Sequence, residues 1–412
     1  MRLLLVTHYY PPEVGAPQAR LSEMARHWAA SGMDVTVVTG MPNHPTGIVP
    51  PAYRGAVLRR EQREGTQVLR SWVYATPNER IARKTLAHLS FMVSSVLLSA
   101  IRTGPADVVI VSSPTFFSIA SAWLIARIRR ARLVVEVRDL WPAIFVELGV
   151  LKNRHVIAIL EWLELAAYRA ADAVVVVSEG FRDDLLSRGV PPEKVTTIRN
   201  GVDLDRFSPD VLPSPAARRR LGVNADDILV LYLGAHGISQ GLSSLVEAAA
   251  LLQGDGVHLT LVGEGADKSA VQARLEQLGA TNVTMLPSVP SDQVPALIAA
   301  ADVCVVPLRD VPLFSTFIPS KMFEYLGAGK AVVGAVRGEA ARILDEAGAV
   351  VVQPEDPMAL ADALRELAAD PGRRAKMGRL GRQYVQQHFD RRVLAMEYLR
   401  LLRRVVGVEG AA

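Results

Sequence analysis

Short runs such as DVTVV, DVVIV and AVVVV put apolar, β-branched residues on both faces of the pleat. A strand with one wet face alternates apolar and polar residues; a strand covered by helices on both sides does not. Each run is followed by a loop holding Gly, Pro or Ser and then by a helical pattern, the βα order of a parallel, doubly wound sheet. The candidate strands are Leu3–Val6, Val35–Thr39, Val108–Ser112, Leu133–Val137 and Ala173–Val177 in the first half. The second half offers Leu229–Leu233, Leu259–Val262, Val283–Met285, Val303–Val306 and Ala331–Gly334. A chain of 412 residues exceeds what one core supports. The expectation is therefore an α/β protein of two doubly wound Rossmann-like domains.

The break between them is marked by RNGVDLDRFSPD and VLPSPAARRR, rich in turn residues and charge. It gives an N-terminal domain over 1–205 and a C-terminal domain over 206–387, with a hinge near 199–215. Segment 388–406 reads as a long helix with Leu394, Met396, Leu399 and Leu402 on its apolar side, able to pack back on the first domain. The N-terminal MRLLLVTHYYPP has too short an apolar run for a secretory leader and reads as a first strand. The single cysteine, Cys304, lies in the apolar VCVVP and suits a reducing, cytoplasmic compartment. Lys and Arg number 46 against 42 Asp and Glu, an excess too small to suggest a nucleic-acid partner.

One stretch departs from plain α/β. Between Arg54 and Lys84 stand Arg54, Arg59, Arg60, Arg63, Arg70, Arg80, Arg83 and Lys84 against only Glu61, Glu64 and Glu79. Directly after it, Thr85–Ile101 runs 17 residues without a formal charge and ends at Arg102. As a helix this is about 25 Å, short of the roughly 20 residues a membrane span needs. A basic-flanked apolar helix suits the surface of an anionic membrane. A buried domain helix beside a solvated basic loop fits the same residues, and the sequence leaves both open.

Four motifs carry chemistry. THYYPPEVGAPQAR (7–20) ends the first strand, and Gly15 permits close backbone approach before a helix begins near Pro17; such loops bind ligands in α/β sheets, though a plain connection reads the same way. EVRDLWP (136–142) delivers Glu136, Arg138 and Asp139 to a strand's carboxyl edge, where buried charges are costly unless paired or functional. LYLGAHGISQGL (231–242) sets Gly234, Gly237 and Gly241 between strand and helix, so that backbone amides can face an anion; LVGEGADK repeats the turn with Gly263 and Gly265. FSTFIPSKMFEYLGAGKAVV (314–333) is the most informative. Ser320 is a plausible N-cap, and Lys321 and Glu324 share one face of the helix that follows. A lysine and free amides at a helix start suit a diphosphate, and a carboxylate one turn on can accept from ribose hydroxyls. The bland alternative is a surface ion pair. Asp203-Leu204-Asp205 reads as turn chemistry, not a metal site.

Together these segments resemble the family-four retaining nucleotide-sugar glycosyltransferases of GT-B fold. The resemblance spans essentially the whole chain through PPEVGAPQAR, EVRDLWP, NGVDLDRF, LVGEGADK and PSKMFEYLGAGKAVV. EVRDLWP, GISQGL and PSKMFEY are similar to the O-antigen and capsule branch, including fucosamine-transferase-like enzymes. There are departures. The family's donor site has two glutamates eight apart; Glu324 matches the second, and Thr316 stands at the first. Its usual Arg and Lys fall at Ala235 and Gln240, and its doubled glycine is Gly15-Ala16.

The resemblance implies two domains facing across a cleft, closing about the hinge, and transfer of a sugar from a nucleoside diphosphate, UDP in the first place, with retention. It implies no metal and no cofactor, so helix amides and Lys321 carry the leaving group's charge. The donor side comprises Gly234, Gly237, Gln240, Gly263, Gly265, Arg309, Phe317, Ile318, Pro319, Ser320, Lys321 and Glu324. The acceptor side comprises Gly15, Arg20, Arg138 and Asp139, with Asp139 or His8 orienting or deprotonating the acceptor hydroxyl. The acceptor is expected to be a glycan or a polyprenyl-diphosphate-linked sugar, at the inner face of the cytoplasmic membrane through residues 54–102. A sugar-nucleotide 2-epimerase and a non-catalytic nucleotide-sugar binder are the alternatives.

Overall fold

The computed structural model describes residues 1–13, 15–44, 46–76, 81–99, 101–112, 116–211, 215–224 and 226–408. Its contacts divide the chain into one unit of Met1–Arg199 with Arg392–Ala412, and a second of Asn200–Arg391. The break thus falls after Arg199, a few residues before the position read from the sequence.

In the first unit the order is β1 (Arg2–Val6), α1 (Ala16–Ala30), β2 (Asp34–Gly40), β3 (Leu58–Arg63), β4 (Thr66–Ser71), α2 (Ile81–Ser94) and β5 (Val108–Ser112). It continues through α3 (Phe116–Arg129), β6 (Arg132–Val137), α4 (Ala143–Glu147), α5 (Arg154–Ala170), β7 (Ala173–Val176), α6 (Glu179–Ser187) and β8 (Val195–Thr197). The sheet runs β3-β4-β2-β1-β5-β6-β7-β8, parallel except for the edge pair β3–β4. That pair was not expected. It is built from the basic stretch, whose side chains alternate between half-buried and exposed from Arg59 to Arg63 along β3 at the sheet's edge, where one side stays wet. Arg70 turns inward and is buried, with Nε donating to Glu61 at 3.0 Å, and Arg59 lies over the Tyr53 ring. Arg59 and Arg70 are therefore paired within the unit, whereas Arg54, Arg60 and Arg83 are exposed. Glu79 and Arg80 lie outside the described residues.

The helix read at 85–101 is α2 followed by a wider turn at Ser95–Ser99. One of its stripes is buried through Phe91, Ser94 and Ser95, and the other is exposed. The buried stripe fits a domain helix, and the exposed one carries Leu86, Val93 and Leu97.

The second unit follows with α7 (Pro215–Arg220), β9 (Ile228–Leu233), α8 (Leu242–Ala250), β10 (Val257–Val262), α9 (Lys268–Leu278), β11 (Val283–Leu286), α10 (Val294–Ala300) and β12 (Val303–Pro307). Then come α11 (Ser320–Gly327), β13 (Ala331–Ala335), α12 (Gly338–Glu346), β14 (Val350–Val352), α13 (Pro357–Ala369) and α14 (Pro371–His388). Its sheet, β11-β10-β9-β12-β13-β14, is wholly parallel. Cys304 sits buried in β12. Helix starts are closed where the sequence supplies a cap: Asp356 accepts from the Ala359 amide and Asp370 from the Arg373 amide.

The last helix, α15 (Arg391–Val406), belongs to the first unit. It starts at Arg391, not at His388, which ends α14. Leu394, Tyr398, Leu399 and Leu402 join Leu21, Met24 and Trp28 of α1 in one core over the sheet. The Trp28 indole N–H donates to the Ala395 carbonyl at 3.0 Å. Each such buried side chain contributes about 1.5–3 kcal/mol, so a core assembled from both ends of the chain ties the C-terminus down firmly. Where the chain enters the second unit, the Val202 amide donates to Phe389 O and the Arg391 amide to Val202 O, both at 3.0 Å.

Candidate functional site

Each sheet gathers polar residues at the carboxyl ends of its strands, and the second unit is described first. β9 runs into the loop 234–241 and β10 into the loop 263–267. The loops touch backbone to backbone: the His236 amide donates to Glu264 O at 2.9 Å and the Asp267 amide to His236 O at 2.9 Å. A Cβ on Gly263 would stand 1.9 Å from the Gly234 carbonyl oxygen, and one on Gly265 would stand 2.1 Å from that of His236. These two glycines are thus required for loop packing, which is the role the structure gives them. Gln240 likewise serves its own loop, its Oε1 accepting from the Gly237 amide at 3.1 Å.

α11 begins beside these loops. Ser320 is not its N-cap; Pro319 occupies that position and offers no side-chain cap, so the first amides of the helix keep no side-chain acceptor. Proline here fixes the extended entry and removes a donor that could not have been satisfied. Ile318 is buried and anchors the entry, while Phe317 packs edge-on against Phe314.

Lys321 reaches back from this first turn. Its Nζ lies 3.8 Å from the centroid of the Tyr232 ring, and a Cβ on Gly234 would stand 2.7 Å from it. Only glycine leaves the ammonium this space. Among the described residues Nζ meets no hydrogen-bond acceptor. Burial pushes its pKa down to about 7, with the nearby Glu324 carboxylate pulling weakly the other way. Tyr232 is itself fixed by donating to the Ala235 carbonyl at 2.6 Å, and the Leu233 amide donates to Tyr325 Oη at 2.9 Å. Arg309, at the end of β12, pairs with Glu355 at 3.4 Å and donates its amide to Ser239 O. His236 is buried between the loops beside Tyr232, where burial and then the charges of Lys268 and Lys321 lower its pKa to about 4.

In the first unit the expectation for Arg20 is overturned. Its guanidinium is 1% exposed, donates to Glu136 at 3.0 and 3.2 Å, and caps the carbonyls of Ile198 and Arg199 after β8. Glu136 also accepts from Ser112 Oγ at 3.0 Å. Burial alone would raise the Glu136 pKa, yet Arg20 and Arg138 more than offset it and hold the carboxyl below its usual value. A cation so enclosed lines nothing; it locks α1 to β6 and to the end of β8. Asp139, past the end of β6, is half-buried with its pKa raised by burial, which the neighbouring Arg138 partly offsets. A carboxylate whose pKa is raised by burial at a strand end is suited to accepting a proton.

His8 is buried at the end of β1, its Nδ1 3.4 Å from His88 Nδ1 and its ring against Tyr9 and Phe91. Burial, then His88 and His44, keep it neutral, well below its usual pKa. Glu13 was overlooked by the sequence reading. Its carboxyl accepts from the amides of Asn43, His44 and Tyr10 at 2.8, 2.9 and 3.1 Å, yet burial wins and raises its pKa to about 7. Gly15 stands at the N-cap position of α1 with no side-chain hydrogen bond. Asp203 makes the expected turn, accepting from the amides of Asp205 and Arg206. Among the described residues no group of three His, Cys, Asp or Glu could hold a metal.

Two Rossmann-like units, with glycine loops and an uncapped helix start that carries a lysine in the second, fit the class of a GT-B glycosyltransferase. The family models agree. Residues 15–201 match the glycosyl transferase 4-like domain and residues 213–384 match glycosyl transferases group 1. The chain belongs to the family-four glycosyltransferases of GT-B fold. Over 98% of its length it is 28% identical to the whole of an Escherichia coli (strain K12) protein assigned to colanic acid biosynthesis as the glycosyl transferase WcaI. Among solved structures it is similar in fold to sucrose-phosphate synthase from Thermosynechococcus elongatus, with a TM-score of 0.76 at 20% identity over 99% of this chain and 100% of that one. Anabaena HepE, solved with UDP and glucose, gives a TM-score of 0.72 at 19% identity over 98% and 100%. WaaG, a glycosyltransferase involved in lipopolysaccharide biosynthesis, gives 0.70 at 18% identity over 97% and 99%.

Proposed function

We propose that this glycosyltransferase moves a sugar from a UDP-sugar to a polyprenyl-diphosphate-linked acceptor in the assembly of a surface polysaccharide, with retention and without a metal. The observation that carries the reading is Lys321: a half-buried ammonium with no acceptor among the described residues, at an uncapped helix start, beside the glycine loops 234–241 and 263–267. Desolvation makes such a cation expensive until an anion arrives, and a diphosphate is the anion that matches a lysine together with helix amides. HepE's complexes with UDP and UDP-glucose, and the place of WcaI and WaaG in polysaccharide assembly, support the choice of donor and pathway.

In the reaction the bond from the anomeric carbon to the diphosphate oxygen breaks, and its electron pair stays on the diphosphate. Lys321, Arg309 and the amides of Ser320 and Lys321 at the uncapped helix start hold that charge, and Glu324 accepts from the ribose hydroxyls. The acceptor hydroxyl oxygen bonds to the anomeric carbon on the face the leaving group vacates, and its proton passes to Asp139. Gly15 and Arg138 border the acceptor. Arg20 supports this end of the sheet without touching it. His8, neutral and buried, is the lesser choice for the proton. The acceptor's lipid brings the enzyme to an anionic membrane at the cytoplasmic face, with the basic stretch in 54–102 as the electrostatic contact. No helix among the described residues is long and apolar enough to cross a membrane.

The test is donor turnover. Purified protein is given UDP- and GDP-sugars with and without a polyprenyl-diphosphate-sugar, and products are read by mass spectrometry. Acceptor-dependent release of UDP with a heavier lipid is the expected result. An isomerised donor without acceptor would establish the epimerase instead, and binding without turnover the non-catalytic binder.

A further inference from the structure

In the first unit α3 packs between α2 and α5, so the three helices form one layer over the sheet. The outward side of such a layer is ordinarily polar. Here it is not. Val93 and Leu97 along α2 and its following turn, Trp123 and Ile128 on α3, and Ile159 and Trp162 on α5 are all exposed, Leu97 to 60% and Trp162 to 66%. α3 is apolar on both sides, since Ala122, Ile125 and Ala126 are buried against the unit. An outward face this apolar, set with arginine, marks an interaction surface.

Charge decides what meets it. Arg83, Arg127 and Arg154 are exposed on the same three helices, and Glu161 is their one exposed carboxylate. The Arg127 guanidinium lies 5.7 Å from the Trp123 ring. A second copy of the chain seated on this face by two-fold symmetry would set these arginines against their own counterparts, with little negative charge to answer them. An anionic lipid surface answers them fully, and tryptophan beside arginine is the pairing that sits at a headgroup boundary.

We infer that the α2–α3–α5 face docks on an anionic bilayer, with Trp123 and Trp162 seated at the headgroup boundary and Arg83, Arg127 and Arg154 on lipid phosphates. This deepens the membrane part of the proposed function and rests on it for the choice of lipid, but not on the transfer reaction. It also changes the force involved. The internally paired Arg59 and Arg70 leave the basic stretch less charge to offer, so apolar insertion carries the contact and binding persists in part at high salt.

The experiment is co-sedimentation of the full chain with vesicles of phosphatidylcholine and phosphatidylglycerol, at low and high salt, with pure phosphatidylcholine as the neutral surface. Trp123→Ser with Trp162→Ser should weaken binding about tenfold or more, because seating an aromatic side chain in an apolar phase contributes on that scale. Both side chains are exposed, so thermal melting should not change; Leu380→Ser, an equally exposed site on the second unit, should leave binding as it was. Wild-type binding by the double tryptophan variant would overturn this face while leaving the membrane reading to the basic stretch. A wild-type chain that ignores anionic vesicles at every ionic strength would overturn both. A concentration-dependent dimer, seen by light scattering and lost in the double variant, would assign the face to a second copy.

Discussion

At the carboxyl end of the first sheet the Arg20 guanidinium meets Glu136 at 3.0 Å and caps the carbonyls of Ile198 and Arg199; at the corresponding end of the second sheet Lys321 lies over the Tyr232 ring with no acceptor among the described residues. Both cations sit where α/β sheets bind ligands. One has been satisfied by the fold, and its carboxylate partner is held below its usual pKa. The other is left to be satisfied, and burial has pushed it to about 7. A buried charge that is fully paired is architecture, whereas one whose partner is missing marks where a ligand's charge belongs. The first unit keeps its own open group one residue past Arg138, at Asp139, whose carboxyl is raised where that of Glu136 is lowered.

The strongest test of this contrast is Asp139→Asn. It should lower kcat by about 10²–10⁴ if Asp139 takes the acceptor's proton, while donor affinity stays unchanged. A fall in donor affinity with unaltered kcat would place Asp139 with the donor and break the division between the units. Next is Arg20→Met, which strands Glu136 as a buried, unpaired charge. The expected loss is about 3–5 kcal/mol, read as a lowered first transition in thermal melting. The sign with pH follows from the depressed Glu136 pKa. Its contribution is present above the unfolded carboxylate value and disappears as pH falls through the folded one, so the gap between wild type and variant should narrow in acid.

Lys321→Met should cost about 1.5–3 kcal/mol in UDP affinity, the range for hydrogen bonds to a charged group. Because the free lysine titrates near 7, diphosphate binding takes up a proton above that pH. Calorimetry should show UDP affinity falling as pH rises from 7 toward 9, and Lys321→Met should remove that fall. Without ligand the sign reverses: the unfolded chain holds this proton up to about 10.5 and the folded chain only to about 7, so stability rises with pH across that window. The smallest effect concerns Glu13. Its raised pKa means that the folded chain binds a proton more tightly between about 4.5 and about 7, so stability falls with rising pH there. Glu13→Gln should flatten that slope, and a slope that persists would assign it to another group.

The α/β class and the positions of the main strands were legible because they depend on local pattern: a run apolar on both pleat faces has few other uses. β3 escaped because an edge strand tolerates charge, and β4 because its buried positions include the polar Thr66, Arg70 and Ser71, so nothing in LRREQR and TQVLRS reads as a buried strand. Lys321 stood out in the sequence because the proline before it and the glutamate after it lie within a few residues of one helix start. Arg20 was misassigned, and Glu13 missed, because what decides a charged residue's role is what the fold brings to it. Glu136 is 116 residues from Arg20, and the amides holding Glu13 come partly from the loop after β2.

The sequence by itself therefore determined the two parallel sheets, the family, and the helix start that carries Lys321, since hydrophobic period and short motifs act over a few residues. Only the tertiary structure decided which cations are paired, that α15 completes the first unit's core, and that α3 and α5 turn Trp123 and Trp162 outward. Burial, desolvation and ion pairing depend on distances between residues far apart in the chain, and those distances exist only once it is folded.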